Sequence, residues 1–178
     1  MKKILTVLLL ILTISSYSQT KLDMLTFNAL NEYRIEHGVK PLVFDSNIWK
    51  AAQHHSTYLS ENGYPDNYVC SSGHHELELV EFTDRLRYYG VNWAGTAVEC
   101  VTTGGDYFSD VENALYIINQ WDSSPSHKEG MLEKDVTRMA ISIVEVRFNC
   151  DMSYTYKGKV VTNKFTCVKY FATFLVVE

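Results

Sequence analysis

The sequence predicts a single α+β domain with its helices early and its strands late. Two observations carry this. Up to Trp121 the apolar residues recur at helical spacing in separate stretches bounded by caps and glycines, and from Met139 onward the period falls to two. One strand-like run, Thr96 to Thr103, lies between the helices, which fits an α+β layered domain better than a βαβ repeat. Leu22, Leu25, Ala29 and Tyr33 form the first helical stripe, and Gly38 stops it. Asp45 or Ser46 caps a second helix whose stripe is Ile48, Ala52, His55 and Leu59, with Gly63 at its end. A third helix runs around Glu81 to Tyr89 and closes at Gly90. Ser109 with Glu112 makes a capping box for a fourth, which carries Ala114, Leu115, Ile118 and Trp121. Ser123-Ser124-Pro125-Ser126 breaks that helix. Beyond it, Met139, Ile141, Ile143 and Glu145 alternate with Ala140, Ser142, Val144 and Val146, as in a strand covered on at least one face. Phe165 to Val177, rich in Val, Thr and aromatics, is a second long strand.

Composition supports one globular unit: 46% of the 178 residues are hydrophobic and 21% charged, and there is no internal repeat or linker. The net charge of −5, without a basic run, gives no electrostatic footprint for a nucleic-acid partner. The first residues have a different purpose. Lys2 and Lys3 precede an apolar run, Ile4 to Ile14, and Ser16 and Ser18 place small residues at −3 and −1 of a cut before Gln19. Residues 1–18 are therefore expected to be a signal peptide and 19–178 the working domain, with the balance moving from −5 to −7 on losing two lysines. The apolar run is shorter than the roughly 20 residues of a transmembrane helix, and no later stretch is long enough. The expected product is secreted, extracellular or periplasmic, with no transmembrane segment.

Export changes how the cysteines read. Cys70, Cys100, Cys150 and Cys167 are spaced 30, 50 and 17 residues apart, without the close pairs of a zinc tetrathiolate. In an oxidising compartment two disulfides are expected. Cys150 and Cys167 flank a turn-rich segment between strand-like runs and can meet across a hairpin, which leaves Cys70 with Cys100.

Of six histidines, His37 sits at a helix C-terminus, where a cation suits the dipole, and His55 lies on an apolar stripe, where a hydrogen-bonded core role is expected. His74 and His75 follow Ser71-Ser72-Gly73 in a loop, ahead of Glu76, Glu78 and Glu81. His127 sits on a second loop after Pro125. Glu99 stands inside the apolar run Ala97 to Val101, where an isolated carboxylate needs a partner or a raised pKa. Two loop histidines and a strand glutamate are a candidate set for a divalent metal, most simply zinc; the same residues also read as a hydrogen-bonded polar cluster. There is no H-E-x-x-H helix, nucleophile elbow or phosphate loop.

The chain resembles the CAP superfamily of cysteine-rich secretory, antigen 5 and pathogenesis-related proteins, in its short bacterial secreted form. Leu30-Asn-Glu-Tyr-Arg34 with Gly38, Pro41-Leu42 and Asp45 looks like the opening motif of that family. Ala51-Ala-Gln-His-His-Ser56 is similar to its second-helix segment, and Phe82-Thr-Asp-Arg85-Leu with Gly90 to its arginine-glycine helix. Trp121-Asp-Ser-Ser-Pro125-Ser-His127-Lys-Glu-Gly-Met131-Leu132 resembles its W-x-x-S-P-G-H-R-x-x-M-L signature, and Tyr170-Phe-Ala-Thr-Phe174 its last strand. Three departures stand out. Ser126 replaces the signature glycine, Lys128 the arginine, and Cys100 the asparagine of the E-N-[IL] strand. Ser124 occupies the position of a second site glutamate found in many eukaryotic members.

The resemblance implies a three-layer α-β-α sandwich with a central antiparallel sheet and an open cleft. His74 or His75, Glu99 and His127 would line that cleft, with Trp121 and Ser124 beside them. It also implies a non-enzymatic secreted domain that binds a divalent metal at the histidines and a small apolar or peptidic ligand. The runner-up is a metal-assisted hydrolase with Glu99 as its base, and a third reading is a protein-interaction module with a vestigial cleft.

Overall fold

The computed structural model describes residues 18–62, 76, 79–105 and 109–178. In chain order the elements are α1 (Lys21–Glu36), β1 (Val43–Phe44), α2 (Ser46–Asn62), α3 (Phe82–Tyr88), β2 (Ala97–Gly105), α4 (Asp110–Asp122), α5 (Pro125–Met131), β3 (Arg138–Tyr156) and β4 (Lys159–Val177). The sheet order is β1-β3-β4-β2, antiparallel except for the two-residue β1, which runs parallel to the start of β3.

Three layers follow from the alternation along β3 and β4. Met139, Ile141, Ile143, Ala172, Phe174 and Val176 face one way and are buried by α1, α4 and α5. Ala140, Leu175 and Val177 face the other and are buried by Ile48, Trp49 and Ala52 of α2 and Leu86 of α3. Residues 139–143 are buried without interruption because each side of the strand has its own helical layer. The expected α-β-α sandwich is the observed fold.

The caps act where the sequence places them. Thr20 and Asp23 form a capping box on α1, Ser109 and Glu112 one on α4, and Asp45 Oδ1 accepts from the Asn47 and Ile48 N–H groups at the start of α2. Asp23 does more. It is buried, and its carboxylate accepts from Ile143 N–H (2.8 Å) and Trp49 Nε1–H (3.2 Å), tying α1 to β3 and to the helix on the far face. Burial holds its pKa above the ordinary carboxylate value, against the pull of those hydrogen bonds.

Two expectations about elements are corrected. The Ser-Ser-Pro-Ser stretch ends α4 but does not lead into a loop: Pro125, with φ already set for a helix, opens α5, so His127 is a helical residue. The last two strands are 19 residues each, longer than their apolar cores, and turn at Lys157-Gly158, both at positive φ. Their register sets Cys150 opposite Phe165 and Cys167 opposite Phe148, so the two cysteines are diagonal neighbours, and the expected disulfide between them is present, with Cα atoms 5.8 Å apart. Among the described residues no helix is long and apolar enough to cross a membrane.

Candidate functional site

The polar centre of the molecule forms where α2, α3 and β2 meet. His54 and His55 are consecutive on α2 and so project about 100° apart, which lets one carboxylate reach both rings. Glu76 takes that place: Oε1 lies 2.7 Å from His55 Nδ1 and Oε2 3.1 Å from His54 Nε2. His55 is fully buried, as expected for a hydrogen-bonded core histidine, and Glu76 is 5% exposed. The second ring nitrogen of His54 pairs with the Tyr89 hydroxyl at 3.0 Å. Arg85 of α3, fully buried, sets one guanidinium nitrogen 3.5 Å from Glu76 Oε1 and donates from another to Glu99 Oε2 at 2.5 Å.

Glu99 therefore has the partner its apolar strand demands. The buried carboxylates Glu76 and Glu99 share one guanidinium, and removing it would take a buried positive charge away from both. The sequence shows Arg85 and Glu76 only as part of a motif and a carboxylate cluster. The signal that could have paired Arg85 with the strand glutamate is its place next to Leu86 on the inner face of a short helix whose other arginine, Arg87, is exposed.

His127 belongs to the opposite layer. Val98 and Cys100 point away from the Glu99 side and meet α5, where a Cβ on Gly130 would lie 2.7 Å from Val98 Cγ1. Only glycine allows so close an approach, and it lets the Cys100 thiol lie 3.8 Å from the His127 carbonyl oxygen. Arg34, fully buried at the end of α1, fixes α5 from the other side by donating to the carbonyls of Lys40 (2.9 Å), Met131 (2.5 Å) and Glu133 (2.9 Å). Burial lowers the pKa of its guanidinium. His127 itself is half-buried. Nearby, Asp122 accepts from the Tyr33 hydroxyl and pairs with Lys128 at 2.8 Å, and Lys128 and Tyr33 hold its carboxyl below the usual range.

His74, His75 and Cys70 lie outside the described residues. Ser124 is half-buried ahead of α5, its hydroxyl 3.3 Å from that of Ser126. Trp121 does not line a cleft: it is fully buried and packs on Phe174 with ring centroids 5.7 Å apart, because its helical stripe faces the sheet. Cys100 is a free, buried thiol rather than half of a disulfide. It points into the α4–α5 layer, away from the side on which α2 and α3 stand, and burial pushes its pKa up. Among the described residues no three His, Cys, Asp or Glu side chains converge to hold a metal. Those residues contribute one of the expected imidazoles, His127, and commit Glu99 to Arg85, so on their own they do not fit a metal centre.

Comparison with known proteins agrees with this architecture. The model of the cysteine-rich secretory protein family (CAP) matches residues 27–168. An extracellular protein of Bacillus anthracis containing an SCP domain aligns with a TM-score of 0.61 at 16% identity, covering 88% of this chain and 40% of that one. An outer surface protein of Borrelia burgdorferi aligns with a TM-score of 0.58 at 18% identity, covering 90% and 96%. A cysteine-rich secretory protein of Staphylococcus aureus aligns at 0.50 and 16% identity, covering 92% and 40%. The chain thus spans less than half of the Bacillus and Staphylococcus proteins and nearly all of the Borrelia one. No curated protein matches it in sequence.

Proposed function

Because the chain belongs to the cysteine-rich secretory protein (CAP) family, we propose that it acts outside the cytoplasm as a binding module rather than as a hydrolase. One observation carries the second half of this reading: the Glu99 carboxylate is buried and its Oε2 accepts from Arg85. A general base must present an oxygen to the water it activates, within hydrogen-bond reach. The Cys150–Cys167 disulfide and the extracellular and outer-surface descriptions of the Bacillus and Borrelia relatives support an exported protein. The ligand is small and apolar or peptidic. Zinc is held by His127 together with His74 or His75, imidazole being its usual nitrogen donor.

Calorimetric titration of the purified chain with zinc tests the metal. Binding is expected in the wild type and in His37→Ala, is lost in His127→Ala, and weakens below about pH 6.5 as imidazole protonates. Equal affinity in wild type and His127→Ala removes the metal from the reading. Ester and peptide substrates test the other half: turnover that disappears in Glu99→Gln would establish the hydrolase instead, and none above background is expected.

A further inference from the structure

A groove of about 380 Å³ runs along α2, on the layer opposite α5, with Tyr89 as its far wall. Its lining from α2 is Gln53, His54, Thr57, Tyr58 and Glu61, with Lys50 at one end. These positions recur at three- and four-residue steps and so form one stripe, about 16 Å long from Lys50 to Glu61. The aromatic walls are held from below by the buried cluster. His54 is bound at both ring nitrogens, by Glu76 and by the Tyr89 hydroxyl, and the Tyr58 ring lies parallel to His55, 7° from coplanar with centroids 6.4 Å apart. Between these fixed rings the Gln53 amide, the Thr57 hydroxyl and the Glu61 carboxylate make no side-chain hydrogen bond among the described residues.

We propose that this groove is a second binding site, separate from His127, and that it takes a neutral oligosaccharide. The side chains choose the ligand class. Gln53 offers both a donor and an acceptor, Thr57 a hydroxyl and Glu61 an acceptor, so the ligand has to supply many hydroxyl groups of both roles. An apolar ligand would match the largely apolar wall but leave the Gln53 amide and the Thr57 hydroxyl without partners beneath it, whereas a sugar offers C–H faces to the wall and hydroxyls to these groups. Lys50 and Glu61 carry opposite charges, so the groove does not select an anion or a cation. Tyr58 and Tyr89 add apolar ring surface with a polar tip, which suits the C–H faces of a pyranose. The volume lies within the range of small-molecule sites, and the length accommodates more than one sugar ring.

The test is a titration of the whole chain with chitotriose and with cellotriose, followed by calorimetry and by backbone amide shifts. Saturable binding in the millimolar range or tighter is expected, with shifts confined to residues 50–61 and Tyr89. Gln53→Leu and Tyr58→Ala each weaken it about tenfold or more, while His127→Ala leaves it unchanged. Gln53 is half-exposed, so its variant keeps the test decisive even where Tyr58→Ala fails to fold. The proposal is overturned where neither sugar binds at about 10 mM, where the shifts map elsewhere, or where Gln53→Leu binds as the wild type does. Binding of octanoate or trialanine at these residues in place of the sugars overturns it as well, assigning the groove to a lipid or a peptide.

Discussion

Replacing Arg34 by methionine should loosen the whole α5 corner. Arg34 has no exposed surface, and its guanidinium donates to three backbone carbonyls, those of Lys40, Met131 and Glu133. Hydrogen bonds from a charged group contribute about 1.5–3 kcal/mol each, which for three gives a gross loss near 4.5–9 kcal/mol. Burying the guanidinium carries its own desolvation cost, visible in its lowered pKa, and methionine keeps much of the packing volume. The net destabilisation expected is about 2–5 kcal/mol. Urea unfolding should show a lower midpoint with an unchanged slope, and for a chain of this size the melting temperature should fall by roughly 2–4 °C per kcal/mol. Arg34→Lys should recover only part of the loss, because an ammonium does not reproduce the planar fork that reaches three acceptors. Amide exchange should rise first around residues 131–134. An Arg34→Met protein within about 0.5 kcal/mol of the wild type would refute the clamp, since that is the effect of an ordinary surface change.

Three further outcomes follow from the geometry. Gly130→Ala places a Cβ 2.7 Å from Val98 Cγ1 and should cost about 1–3 kcal/mol by chemical denaturation, pushing α5 and His127 outward. Arg85→Met leaves Glu76 and Glu99 buried without their guanidinium and should cost about 3–5 kcal/mol at neutral pH; an unchanged unfolding midpoint there would mean the pairs carry no stability. Asp23 has a raised pKa, so the folded state binds its proton more tightly than the unfolded chain does. Its contribution is fully present below pH 3.8, declines as pH rises through the interval above that value, and should give a slope in stability against pH that Asp23→Asn removes.

Helices α1 to α4 were legible from caps, bounding glycines and, in α1, α2 and α4, an apolar stripe, whereas α5 has no such stripe and reads as a loop. Ser109 with Glu112 and Asp45 before Ile48 are bonded as their side-chain chemistry predicts. What stayed hidden depended on residues far apart in the chain. β1 is two residues long and exists only because Arg138 and Met139 lie beside it. Trp121 stands both on the α4 stripe and in the expected cleft set, and the sheet takes its face. Arg85 to Glu99 spans the join between two elements, and no spacing rule reports it. The four cysteines illustrate both sides: the pair joined by one hairpin was readable, whereas the direction in which Cys100 points is fixed by strand parity within a three-layer fold.

The long hairpin has a consequence for what proteolysis does to the chain. β2 accompanies β4 between Lys169 and Val177, so residues 147–168 form a two-stranded ribbon whose strands, among the described residues, pair with each other alone. Such a ribbon opens as a unit of its own, at less cost than the sheet behind it. Its turn carries exposed Lys157 and Lys159, after which a trypsin-like protease can cut. A cut there severs the chain but releases nothing, because Cys150 and Cys167 join the two arms on the core side of the break. The nicked protein keeps β3 and β4 tethered and in register, and the disulfide turns an otherwise vulnerable tip into an expendable one.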